Sequence, residues 1–173
     1  MRICARRSAE VRRALPRARA SAPHALLAPL RVPLLVNDRI DVALAAGADG
    51  AHVGQADMPV VLVRKFLGAG AIIGLSITSS AEARGDDTAM ADYLGVGPIF
   101  AQLTKPDAAP ALGLGGLAEI RRISRKPIVA IGGVTAANAR AVQAAGADGV
   151  AVVSAIMGAQ DPTAAAAAFD LAD

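Results

Sequence analysis

From residue 32 onward the chain alternates short aliphatic or β-branched runs with glycine or polar turns and longer alanine-rich stretches. The apolar runs fall at residues 32–36, 51–53, 71–75, 93–96, 128–131 and 149–153. They are close to continuously apolar rather than alternating with polar residues, as expected of strands covered on both faces, so they predict a parallel sheet with helices outside. Crossover connections between parallel strands are right-handed, and a repeating strand-and-helix unit of roughly 20 residues then closes as a barrel. The expected fold is therefore α/β, of the (β/α)8 TIM-barrel type, incomplete with about six recognisable parallel strands. Such a sheet would expose unpaired backbone groups at two edges, 32–36 and 149–153.

Two segments are nearly the same sequence. Ala45-Ala46-Gly47-Ala48-Asp49-Gly50-Ala51-His52-Val53 matches Ala144-Ala145-Gly146-Ala147-Asp148-Gly149-Val150-Ala151-Val152, and Met90-Ala91-Asp92-Tyr93-Leu94-Gly95-Val96 is a weaker echo. In each, a helix of small residues ends at a turn and an Asp precedes the next buried strand. Asp49, Asp92 and Asp148 are accordingly expected to be structural, on the face of a barrel that serves stability.

Composition narrows the class. The chain has 173 residues, 54% of them apolar, 19% charged and 2% aromatic, so it is a globular chain whose core is built from Ala, Val, Ile and Leu. One Tyr and three Phe provide no stacking platform for single-stranded nucleic acid. A lone cysteine, Cys4, excludes an internal disulfide framework and fits a reducing compartment. The sequence contains no apolar run long enough to span a membrane. Neither nucleic acid nor membrane is an expected partner.

The formal charge of +3 is unevenly divided: residues 1–31 carry eight arginines against Glu10, or +7, and residues 32–173 carry ten basic against fourteen acidic residues, or −4. The basic character thus sits in an N-terminal arm. That arm reads as a solvated or irregular helix interrupted by Pro16, Pro23 and Pro29, with an organellar transit peptide as the other reading.

In a parallel barrel the chemistry lies just after the C-terminal end of each strand. Those positions hold Asn37 and Asp38, Gly54 to Asp57, Ser76, Gly97 and Pro98, Thr104 and Lys105, Gly132 and Gly133, and Ser154 and Ala155. Asp38 and Asp57 follow neighbouring strands and offer hard oxygen ligands suited to one divalent cation that also binds substrate phosphate. Gly132-Gly133 allows close backbone approach to an anion, Thr135 is placed to cap a helix starting near Ala136, and Ser154 and Ala155 offer amides at another helix start. The proline- and glycine-containing stretch 100–116 reads as an active-site loop or lid, and Lys105 within it supplies a charge for a polyphosphate. His52, without a second histidine near it in sequence, is expected to point into the strand packing.

Taken in order, Leu35-Val36-Asn37-Asp38-Arg39, His52-Val53-Gly54-Gln55-Ala56-Asp57, Gly95-Val96-Gly97-Pro98-Ile99-Phe100, Thr104-Lys105-Pro106-Asp107-Ala108, Ile131-Gly132-Gly133 and Val153-Ser154-Ala155 resemble the thiamine phosphate synthase family over about four-fifths of the chain. The resemblance divides the chain into a basic, divergent segment 1–31 and a synthase-like barrel domain 32–173. It implies a cytoplasmic transferase that joins hydroxymethylpyrimidine diphosphate to a thiazole phosphate, or its carboxylate, and releases pyrophosphate with Mg2+ as cofactor.

Carried over by residue, Asp38 and Asp57 hold the Mg2+ and Asn37 lies beside the pyrophosphate. Ser76 contacts the pyrimidine or pyrophosphate, Thr104 and Lys105 reach phosphate oxygens, and Gly132, Gly133, Val153 and Ser154 hold the thiazole phosphate. Ser76 and Lys105 are the residues assigned to the catalytic step.

The family also has a strand ending in a Gln-x-Arg-x-x-Lys motif, whereas residues 1–31 contain neither Gln nor Lys, and Ala101 and Gln102 stand where Pro and Thr are usual. Weakened catalysis with self-association into a homo-oligomer is the expected consequence. A thiazole tautomerase, or a non-catalytic phosphate-binding or regulatory module of the same pathway, are the competing readings.

Overall fold

The computed structural model describes residues 4–6, 24–101 and 109–169. These fall into two compact units, one comprising the chain up to Ser76 together with Asp86–Tyr93, the other Ile77–Gly85 together with the chain from Leu94 onward.

In the first unit, β1 (Cys4–Arg6), β2 (Leu34–Asn37), β3 (Gly50–Val53) and β4 (Ile72–Ile77) pair in sequence order, every pair parallel. A short helix α1 spans 24–27, α2 (Ile40–Ala46) joins β2 to β3, and α3 (Val60–Leu67) joins β3 to β4. α4 (Asp86–Met90) follows. Leu35, Ala51, Val53, Ile73, Val60 and Val63 are wholly buried, so the strands press against the inner faces of α2 and α3. This accounts for the unbroken apolar runs in the sequence.

The edge expected at 32–36 is corrected here. β1 pairs with β2 through Cys4–Leu34, Ala5–Leu35 and Arg6–Val36, so β2 has strands on both sides. Cys-Ala-Arg has no β-branched residue and pairs through its backbone, which is why an arginine-rich segment did not announce a strand.

In the second unit, β5 (Tyr93–Val96), β6 (Ile128–Ile131) and β7 (Gly149–Ala151) form parallel pairs, with α5 (Gly113–Ile123) and α6 (Ala136–Ala144) as crossovers. α7 (Ser154–Met157) and α8 (Pro162–Ala167) follow. Among the described residues no strand lies beyond β7, as expected for that edge.

The loop expected over 100–116 is shorter than its glycines suggest, because α5 begins at Gly113. Leu112 and Gly113 donate to the carbonyls of Pro98 and Ile99 (both 2.9 Å), and Leu117 and Ile120 are wholly buried. That anchoring and burial outweigh the roughly 1 kcal/mol that each helical glycine costs.

The repeated Asp motif has one physical meaning. The Asp49 carboxylate accepts from the Leu34 N–H (2.7 Å), and the Asp49 N–H donates back to the Leu34 carbonyl (2.9 Å). Asp92 makes the same pair of bonds with Ile73 (2.7 and 2.8 Å), and Asp148 with Ile128 (2.8 and 2.9 Å). Each Asp therefore satisfies an amide at the start of the preceding apolar strand, the first at Leu34 and Ile128 and the second at Ile73, a group whose burial without a partner costs about 1–3 kcal/mol. Arg64 adds a contact to Asp92 (2.7 Å) and Arg121 one to Asp148 (2.9 Å). None of the described helices is long and apolar enough to cross a membrane.

Candidate active site

The locks sit where strands begin; the candidate chemistry sits where they end. At the close of β2, Asn37 lies level with His52 of β3, and Asp38 turns into the left-handed region (φ 61°) with its N–H donating to the His52 carbonyl (2.9 Å). A non-glycine residue adopts this conformation when the surroundings enforce it. At the close of β3 the chain turns over Gly54 to Asp57, and the Asp57 carboxylate accepts from the Gly54 N–H (2.7 Å). Both aspartates are exposed and both belong to the C-terminal end of the β2–β3 pair.

Ser76, half-buried near the end of β4, is hydrogen-bonded to β3 and to the turn that follows it. Gln55 donates from Nε2 to the Ser76 carbonyl (2.7 Å), and the Ser76 hydroxyl lies 2.9 Å from His52 Nε2. The other ring nitrogen, Nδ1, lies 2.8 Å from the Tyr93 hydroxyl. His52 does point inward as expected, but into polar partners rather than plain packing. Burial pushes its pKa down to about 4 against the opposing pull of the Asp57 carboxylate, and burial raises that of Tyr93. His52 is thus neutral at physiological pH.

Gly74 makes this arrangement possible. A Cβ there would lie 2.2 Å from Tyr93 Cζ and 2.4 Å from His52 Nδ1, so β4 must carry no side chain where the two rings meet.

The first unit therefore brings Asn37, Asp38, Asp57 and Ser76 to the ends of three consecutive strands. As a metal site the donor set is small: among the described residues no group of three or more His, Cys, Asp or Glu is placed to hold an ion. Two carboxylates at adjoining strand ends do suit a hard divalent cation that takes its remaining ligands from water and phosphate.

In the second unit, Gly132 and Gly133 follow β6 with φ 95° and 66°. Side chains at either position would collide, with Pro98 at 2.7 Å and with Phe100 at 2.7 Å. The turn is held by Asn138, whose Oδ1 accepts from the Thr135 N–H (2.8 Å) and whose Nδ2 donates to the Gly133 carbonyl (3.1 Å). Thr135 stands at the start of α6 as expected. Val153 and Ser154, both exposed, lie at the start of α7 beyond β7, whose Ala151 pairs with Ile131. Thr104 and Lys105 lie outside the described residues.

The chain matches the family described as thiamine monophosphate synthase over residues 1–156. It belongs to that family. The thiamine-phosphate synthase of Chloroflexus aurantiacus is 59% identical over 135 residues, 78% of this chain and 62% of the relative. That of Albidiferax ferrireducens is 53% identical over 141 residues, 82% of this chain and 64% of the relative. The chain thus spans somewhat less than two-thirds of the length of these curated relatives.

Among solved structures, thiamine phosphate pyrophosphorylase from Pyrococcus furiosus superposes with a TM-score of 0.79 at 37% identity, covering 91% of this chain and 77% of that one. A 3-hexulose-6-phosphate synthase from Salmonella typhimurium, with a TM-score of 0.70 at 21% identity over 98% of this chain and 84% of that one, shares the fold. The fold is α/β of the TIM-barrel type, as the strand pattern predicted.

Sequence reasoning missed Asn138, the hold of Gln55 on the Ser76 carbonyl and the engagement of His52 with Tyr93. The available signals were an Asn three residues after a capping Thr, and a glycine inside the otherwise aliphatic Ile72-Ile73-Gly74-Leu75.

Proposed function

We propose that this chain couples hydroxymethylpyrimidine diphosphate to a thiazole phosphate, or to its carboxylate with loss of the carboxyl group as carbon dioxide, forming thiamine phosphate and releasing pyrophosphate. The observation that carries the reading is the convergence of Asn37, Asp38, Asp57 and Ser76 on the ends of β2, β3 and β4, in a chain of the thiamine monophosphate synthase family. In the reaction the bond from the pyrimidine CH2 to the pyrophosphate oxygen breaks, the oxygen keeps the electron pair, and the thiazole nitrogen forms the new bond to that carbon.

The protein's task is to orient two substrates and to favour departing negative charge, for which no side-chain nucleophile is needed. Asp38 and Asp57 would hold Mg2+, which when bound neutralises charge on the pyrophosphate. Asn37 lies beside that group, and Ser76 meets the pyrimidine or the pyrophosphate. Thr104 and Lys105 are assigned to phosphate oxygens by the family motif. The Gly132–Gly133 turn, kept free of side chains and stapled by Asn138, takes the thiazole phosphate with the amides near Val153 and Ser154.

The cytoplasm is the expected site of action, in keeping with a single cysteine, and the partners are these small molecules. Self-association belongs to the same reading, supported by a +7 arm opposite a −4 body, and light scattering tests it.

The deciding experiment incubates the chain with both substrates and Mg2+, measuring thiamine phosphate by conversion to fluorescent thiochrome and pyrophosphate by a coupled assay. Equal amounts of the two products, each requiring both substrates, are expected. No thiamine phosphate above a protein-free control would overturn the reading.

A further inference from the structure

Three groups in the first unit form a connected chain: Tyr93 hydroxyl, His52 ring, Ser76 hydroxyl, with separations of 2.8 Å and 2.9 Å. A neutral imidazole has one N–H and one bare nitrogen, so it must donate to one hydroxyl and accept from the other. The surroundings decide which.

Tyr93 is buried, 4% exposed, and among the described residues its hydroxyl has His52 Nδ1 as its hydrogen-bond partner. If Nδ1 carried the proton, the phenol hydrogen would be buried without an acceptor, at a cost comparable to a lost hydrogen bond. A phenol is also more acidic than an alkyl hydroxyl, hence the better donor and the poorer acceptor. Tyr93 therefore donates to Nδ1, the ring proton resides on Nε2, and Nε2–H donates to Ser76 Oγ.

That direction has a consequence at Ser76. One lone pair of its oxygen accepts from within the protein, and its one hydrogen is left for whatever enters from the strand end. We propose that His52 and Tyr93 are positioning residues, which orient the Ser76 hydroxyl as a hydrogen-bond donor toward an acceptor atom of the pyrimidine diphosphate. The proposal rests on the reading of Ser76 as a substrate contact. The acceptor is a pyrophosphate oxygen or an unprotonated ring nitrogen.

Gly74 gives independent support. The two rings, with centroids 5.5 Å apart and planes inclined by 38°, meet over the one position of β4 where a methyl group would strike both. Such a gap in an aliphatic strand forfeits packing and strand propensity. It is explained if the ring-to-ring hydrogen bond is what the strand accommodates. Gln55, donating to the Ser76 carbonyl, fixes the backbone from which the hydroxyl projects.

Two measurements test this. In the ligand-free protein labelled with 15N at histidine, long-range proton–nitrogen correlation identifies which nitrogen of His52 carries hydrogen. The expected result at pH 7 is Nε2–H; a dominant Nδ1–H form overturns the relay whatever the chain's activity.

The second is calorimetric binding of hydroxymethylpyrimidine diphosphate to Ser76→Ala, Tyr93→Phe and the double variant. Each single change should weaken binding about tenfold, the loss of one ordinary hydrogen bond. In the Ser76→Ala background Tyr93→Phe should cost nothing further, because its effect passes through the missing hydroxyl. Independent, multiplying losses would mean that Tyr93 only supports the fold, and would overturn the proposal. Failure of the unsubstituted chain to bind the diphosphate counts against the synthase reading, and the nitrogen shifts still decide the direction of the relay.

Discussion

Acidification should destabilise this protein through His52. The ring is held neutral in the folded state with a pKa of about 4, against 6.5 for an unperturbed histidine, because charging it would place an imidazolium among buried groups. The unfolded chain binds a proton near pH 6.5 and the folded chain resists it, so this contribution is complete above that pH and declines as pH falls toward the folded value. With 1.36 kcal/mol per unit, the loss is about 2 kcal/mol between pH 7.5 and pH 5 and about 3 kcal/mol by pH 4. Against a total stability of roughly 5–15 kcal/mol this is large.

Urea unfolding followed by circular dichroism, repeated at half-unit steps of pH for the unsubstituted chain and for His52→Gln, isolates the effect. The variant lacks the titrating ring while sharing every carboxylate. Its stability should start lower and decline more gently over this range, so that the two curves converge toward pH 4. Curves that run parallel from pH 7.5 to pH 4 would refute the reasoning and show that the His52 ring takes up its proton as readily in the fold as out of it.

Other outcomes follow from the same geometry. Asp148→Ala should cost about 2 kcal/mol in urea unfolding, because the Ile128 amide loses its acceptor, whereas Asp148→Asn keeps an oxygen there and should cost less than half as much; equal losses would mean that the exposed pair with Arg121 carries the effect. Mg2+ affinity measured by calorimetry should rise when pyrophosphate is present, and Asp57→Asn should remove that gain; unchanged affinity in the variant would place the ion elsewhere. Gly133→Ala must bring a methyl group to 2.7 Å from Phe100 at a φ of 66°, so it should lower the melting temperature and weaken thiazole phosphate binding at least about tenfold. Undiminished binding in that variant would show that the phosphate does not use this turn.

The strands were legible because burial on both faces leaves a simple trace, an unbroken aliphatic run such as Ile128 to Ile131. β1 left no such trace, since Cys4-Ala5-Arg6 joins its neighbour by backbone bonds that any residue can make. The opening of α5 was misread for the opposite reason: Gly113, Gly115 and Gly116 signal a loop locally, and the burial of Leu117 and Ile120 that decides the matter comes from elsewhere in the fold.

At the site, strand-end positions such as Asp38, Asp57, Ser76 and Gly132 could be picked out because their place is fixed by the strands preceding them. The partners of His52 could not, since Ser76 and Tyr93 stand 24 and 41 residues away along the chain. A hydrogen bond at such separation leaves no period in the sequence.

The three aspartate locks also bear on how the chain reaches its fold. They close loops of 15, 19 and 20 residues. Loop-closure entropy grows only as the logarithm of length, so these closures differ by about 0.3 kcal/mol, and none is a kinetic bottleneck by virtue of its size. Each tethers the opening of a strand to the residue that launches the next one, and it does so without waiting for remote parts of the chain. Native-like strand onsets can therefore be sampled early and separately, on the fast timescale of short-range contacts, and later ordering has pre-aligned ends to build upon. The amides of Leu34, Ile73 and Ile128 are then natural reporters of three foldons, each opening with its own free energy in native-state hydrogen exchange.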